Sequence, residues 1–266
     1  MIQINYPKRF KLITKRHRFI IGVLIISFLL FLAEYSLGRS GLFFIVALSF
    51  LTDLFLLIAL RRDLKDYFSF NIFILPFVFT LSFGFFYFLF PARLILRIIM
   101  TTLFAIGLYS TYLSQNIFTV SSIRTIALLS SGRTVSFLLT VVSYFFITNV
   151  IFALHLNILL TFPLVFLTAF PLILQSIWTY TLERSIRHDL GWAALLSFCV
   201  SEVALLLWFW PSTPTFIALF LTGFFYIIVG LSHVWFEKRL FRGVILEYLW
   251  VAVFVFIFLV AFTSWT

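Results

Sequence analysis

Charge is scarce in this chain. Only 11% of its 266 residues are Asp, Glu, Lys or Arg, where a soluble domain carries about a quarter. That scarcity excludes an ordinary soluble globular protein. A hydrophobic share of 63% excludes a disordered one. Cysteine is nearly missing: Cys199 stands alone, so no intrachain disulfide and no cysteine metal cluster can form. Its apolar neighbours suit a buried, inert thiol. The 10 glycines are spread thin, and the chain has no H-E-x-x-H, G-x-S-x-G, P-loop or G-x-G-x-x-G pattern. Histidines at 17, 155, 188 and 233 share no metal-ligand spacing. An intramembrane metalloprotease needs clustered His or Glu ligands, and an intramembrane serine protease needs a Ser/His pair in a glycine-rich setting. Neither pattern surrounds His155 or His233, so neither a metal nor a cofactor is expected.

What the chain has instead is long apolar runs, with 39 phenylalanines suited to packing and to lipid-facing surface. A spanning helix takes about 20 mostly apolar residues. Nine such stretches can be read, near 19–37, 41–60, 70–90, 94–113, 135–156, 158–180, 192–210, 214–236 and 244–264. Backbone groups cannot stay unpaired in lipid, so each stretch is expected to be helical. Continuous rather than alternating hydrophobicity excludes a β-barrel. The expected fold is all-α: a polytopic transmembrane helix bundle of one domain, 19–266, behind a basic cytoplasmic tail, 1–18. That tail and the first apolar run lack a small-residue cleavage site and read as a retained signal anchor.

The net charge of +10 does not signal a nucleic-acid partner, because its cations are sparse and divided among helix ends. They do set an orientation. With the N-terminus inside, sixteen of the 19 Lys and Arg fall on the cytoplasmic side. Only Arg39, Arg93 and Arg97 fall outside. This positive-inside bias supports nine spans with the C-terminus outside. Trp178, Trp192 and Trp235 sit at inner ends, and Trp208, Trp210 and Trp265 at outer ends, as an aromatic belt should. The expected setting is a plasma membrane, of the bacterial inner-membrane kind, with the bilayer and its anionic lipids as partners.

One connection is long. Residues 114–134 are too polar to span and too apolar for a free linker, and their apolar residues show no single helical face. A loop resting on the bilayer or a structured re-entrant segment is expected there. Three cytoplasmic turns look alike: Leu60-Arg61-Arg62-Asp63-Leu64, Leu182-Glu183-Arg184-Ser185-Ile186 and Phe236-Glu237-Lys238-Arg239-Leu240. A helix-hairpin duplication and the plain need of any inner turn for basic residues both account for this.

Two groups of residues are candidates for chemistry. Glu34, Asp53, Glu202 and Glu247 fall inside spans, where a carboxyl costs a few kcal/mol unless it faces protein or a wet cavity. Asp53 and Glu202 lie nearest mid-depth, each beside small polar residues: Ser49 and Thr52, and Ser197 and Ser201. Facing one another, they would form a polar site suited to proton coupling or cation binding. The alternative is hydrogen-bonded packing between helices. Acids in the turns, such as Asp63, Asp189 and Glu237, read as solvated partners of nearby cations. On the outer side, Arg93 and Arg97 are four residues apart at a helix start behind Pro91 and Ala92, and so share a face. With Arg39 and Glu34 they could hold an anionic headgroup or lipid phosphate. The alternative is that they snorkel, with Glu34 pairing one of them. Pro76, Pro163 and Pro171 fall within spans and should kink them.

Three function classes follow. The first is a transporter or binder of a small molecule, ion or lipid. The second is a non-catalytic structural or assembly subunit. The third is a membrane enzyme on lipid-linked substrates. Missing motifs weigh against the enzyme, and the sequence favours the first class narrowly.

Overall fold

The computed structural model describes residues 15–36, 41–61, 63–65, 68–90, 93–122, 127–182 and 187–263. Among these are nine α-helices and no strand. They are α1 (Lys15–Ser36), α2 (Gly41–Leu60), α3 (Asn71–Tyr87), α4 (Leu94–Ser121), α5 (Leu129–Ala153), α6 (Ile158–Thr181), α7 (Arg187–Trp208), α8 (Pro214–Phe236) and α9 (Arg242–Ala261). Eight are long and apolar enough to cross a membrane. The other, α3, has 17 residues, a rise of about 26 Å. Arg39, with the rest of 37–40, lies outside the described residues, as do residues 1–14 of the basic tail.

Successive helices run antiparallel, and polar ties join their ends. At one end, Lys15 pairs with Asp63 in the turn after α2, and Arg133 of α5 lies 3.7 Å from Glu237 beyond α8. At the other end, Arg97 of α4 lies 2.5 Å from Glu34 of α1, and Trp208 Nε1 donates to the Leu156 carbonyl at 2.9 Å. We name these the basic end and the sparse end. The sides between them are apolar: Phe43, Leu159 and Ile95 are among many large hydrophobics left exposed. A water-facing surface does not carry such contiguous apolar area.

The centre of the bundle is α3. Most of its residues are buried because α2, α4, α5 and α6 all pack on it. A helix enclosed by protein need not match the lipid thickness, which explains its shortness. Gly84 lets α2 approach: a Cβ there would sit 2.6 Å from Ile45 Cγ2. At the edge, α9 packs on α8 and buries little beyond Leu259.

The long connection differs from expectation. Most of 114–134 is helix: α4 continues to Ser121, and α5 already starts at Leu129. At 28 residues, α4 rises about 42 Å and overruns a bilayer core of about 30 Å. Its buried stripe runs Met100, Phe104, Leu108, Thr111, Tyr112, Gln115, Phe118 and Thr119, a regular helical spacing. From Thr111 onward the inward positions are largely polar, so a search for an apolar face missed the helix.

Candidate functional site

A groove of about 650 Å³ opens in the side of the bundle. One wall is α2, whose Phe50, Asp53, Leu54 and Leu57 share a helical face. The opposite wall is α6, through Leu167, Thr168 and Pro171. The floor is α3. Phe50 closes against Phe77, ring centroids 5.0 Å apart, toward the sparse end. Phe68 meets Phe73 at 6.2 Å toward the basic end. Almost every lining group is apolar; Asp53 supplies the one carboxyl.

Asp53 is half-buried, and its Oδ1 is buried without a hydrogen-bond partner. The small polar residues beside it serve other purposes. Thr52 is fully buried on the inward face, its hydroxyl 3.2 Å from that of Thr80. The Tyr112 hydroxyl donates to the Thr52 carbonyl at 2.8 Å. Ser49 donates to its own helix at Ile45. The two bonds at Thr52 fix α2 on α3 and α4, and that rotation turns Asp53 into the groove. Across from it, Pro171 has no N–H, so the Leu167 carbonyl loses its α-helical donor. The helix nevertheless continues through Pro163 and Pro171. The groove thus pairs an extensive apolar lining with acceptor groups.

Glu202 does not join Asp53, against the expected carboxyl pair. Glu202 is exposed, while Ser197 and Ser201 are fully buried and donate within α7 to Ala193 and Ser197. Adjacent helix residues are about 100° apart, so with Ser197 and Ser201 turned inward Glu202 is carried to the outside. The groove lining includes no residue of α7.

The outer arginines also part company. The helix α4 begins at Leu94, and Arg93 is its N-cap, with extended backbone (φ −96°, ψ 131°) and an exposed side chain. Arg97 turns inward to Glu34, their side chains 14% and 8% exposed. Charge neutralisation within the protein thus takes the place of a shared arginine face. Pro91 and Ala92 lie outside the described residues.

Sequence reading missed a polar network at the basic end. Ser176 Oγ lies 2.9 Å from His233 Nε2, both buried, so a serine and a histidine do meet across α6 and α8. His233 is stacked on Tyr180 at 4.2 Å and edged by Phe137 at 4.9 Å. This packing fills the space a substrate would need. Arg133 lies over the Tyr180 ring at 4.5 Å and donates from Nε to the Thr179 carbonyl at 3.0 Å. Gln175 donates to Ser136 at 3.3 Å. Asp189 is buried and accepts from Thr181 at 3.0 Å, so it is not the solvated acid expected of a turn. Cys199 is only half-buried, also against expectation. The one advance signal for the network was polar residues such as Gln175 inside an apolar span. Among the described residues, no group of acids, histidines and cysteines could hold a metal ion.

A smaller cavity of about 210 Å³ lies at the sparse end, where His155, Thr161, Trp208, Trp210 and Ser212 meet. Trp210 Nε1 there donates to Thr263 at 2.7 Å.

A family model described as a protein of unknown function, DUF5656, matches residues 40–262. The chain belongs to the DUF5656 family. The match takes in α2 to α9, and so the whole Asp53 groove, and leaves out α1 with Glu34. Comparisons with curated proteins and with solved structures found no match.

Proposed function

We propose that this DUF5656 protein binds, and moves within or across its membrane, a lipophilic molecule that carries a positive charge or hydrogen-bond donors. The groove around Asp53 is the binding site. The observation that carries this reading is one carboxyl, with an unpartnered oxygen, in an apolar groove of about 650 Å³. Ligand pockets commonly measure about 300–1,000 Å³ and combine apolar walls with few polar groups. An acceptor-only polar set selects a donor: an amine or amidine head on a hydrocarbon or aromatic body. In low dielectric a carboxylate and a cation attract strongly, so the head would fix orientation and the body would supply most of the buried area.

Nine spans, with the basic end in the cytoplasm, are part of this proposal, supported by the charge asymmetry. Asp53 lies just to the basic side of the middle of α2, so the ligand would enter from the inner leaflet. Arg93, exposed at the sparse end, would then meet outer-leaflet phosphates.

The test is binding of a dansylated long-chain alkylamine to the protein in nanodiscs, corrected for empty discs. Asp53→Asn keeps the shape but cannot become a carboxylate, and is expected to weaken binding at least tenfold. The uncharged alkanol analogue should bind weakly to both forms. Equal amine binding by the native protein and Asp53→Asn would overturn the proposal.

A further inference from the structure

The outward face of α7 carries the second unexplained carboxyl. At 100° per residue, Gly191, Leu195, Phe198, Glu202, Leu206 and Phe209 lie within about 40° of one line. All six are exposed. Ala193, Ser197, Val200 and Ala204, on the far side of the helix, are fully buried. Glu202 therefore sits at the middle of the lipid-facing stripe rather than at its margin. It also sits at mid-depth: Trp192 and Trp208, both partly exposed, are about 24 Å apart along α7, and Glu202 is within about 3 Å of the midpoint. A carboxyl cannot snorkel from there, so lipid is a poor neighbour for it.

The rest of the stripe says what covers it. Gly191, Leu195, Phe198, Glu202, Leu206 and Phe209 recur in four- and three-residue steps and make one continuous helix face long enough to seat a second helix. A Cβ built at Gly191 would meet nothing within 4 Å, which leaves room for a close backbone. Among the described residues no lysine or arginine lies at this depth; Arg97 and Arg133, for example, sit in the first turns of their helices. What a second copy can offer Glu202 is another Glu202. We propose that two copies pair through α7, with the two Glu202 side chains meeting across a two-fold axis normal to the membrane. Copies inserted in the same sense form an isologous contact, in which a residue near the axis faces itself at equal depth. Each carboxyl then has the other as a polar neighbour at a depth where lipid offers none. One polar residue in an apolar seam also fixes register, as buried polar residues do in coiled coils. Because α7 contributes nothing to the Asp53 groove, the pairing stands apart from the proposed binding function.

Cys199, the single cysteine, provides the test. It is three residues from Glu202, at the flank of the stripe, and half-buried. Membranes containing the native protein are oxidised with copper phenanthroline and run without reductant. A cross-linked homodimer is expected. Glu202→Gln, whose amide donates and accepts, should keep the cross-link, and Glu202→Leu should lower its yield at least tenfold. Leucine suits a lipid-facing position, so that variant should still fold. Photobleaching step counts of labelled protein in liposomes are expected to give two copies for the native form and one for Glu202→Leu. Single-step bleaching of the native protein, equal cross-linking by Glu202→Leu, or a cross-link only to a different protein would overturn the pairing.

Discussion

Besides Asp189 in the first turn of α7, which accepts from Thr181, four carboxyls lie within the described helices, each with its own setting. Glu34 pairs with Arg97, Asp53 faces the groove, Glu202 faces outward at mid-depth, and Glu247 is exposed near the basic end of α9. The Glu34–Arg97 pair is largely buried, and Tyr87 donates to the Arg97 carbonyl at 3.2 Å, tying α1, α3 and α4 together. Removing one partner of a buried pair leaves an uncompensated charge and costs about 3 kcal/mol or more. Replacing both by apolar residues is often close to neutral. Glu34→Gln and Arg97→Leu are each expected to unfold at lower denaturant in detergent, and the double variant Glu34→Leu/Arg97→Leu should regain most of the loss. Single variants as stable as the native protein would show that the pair does not hold α1 in place.

At the scale of elements, the helices were legible because lipid-soluble sequence has few options. Most expected spans match a helix to within a few residues; 41–60 and 214–236 match end for end. Rotation about each axis was not legible. It depends on cross-helix partners such as Thr52 with Thr80 and Tyr112 with the Thr52 carbonyl, which sequence spacing cannot reveal. That is why Asp53 and Glu202 could be placed in depth and not in direction, and why Ser176 and His233 were not seen as neighbours. The element that decides topology is α3, whose 17 residues are short for a span yet enclosed on most sides. If α3 crosses the membrane, reporter fusions after Asp66 and after Arg93 should report opposite sides. The same side for both would make α3 an interior helix and reduce the number of spans.

At the scale of the whole molecule, polar ties close both ends, apolar surface covers the flanks, and near mid-depth two carboxyls, Asp53 and Glu202, break that surface. One opens into a groove and the other onto a flat face, so a single reagent can tell them apart. A hydrophobic carbodiimide reaches carboxyls from the lipid phase, and peptide mass spectrometry locates its adducts. Labelling the native protein in liposomes, with and without a long-chain alkylamine, tests the central claim most directly. The expected result is a strong loss of adduct at Asp53 when the amine is present, with the yield at Glu202 unchanged. Undiminished labelling of Asp53 under saturating amine, or equal protection of both carboxyls, would contradict a binding groove built around Asp53.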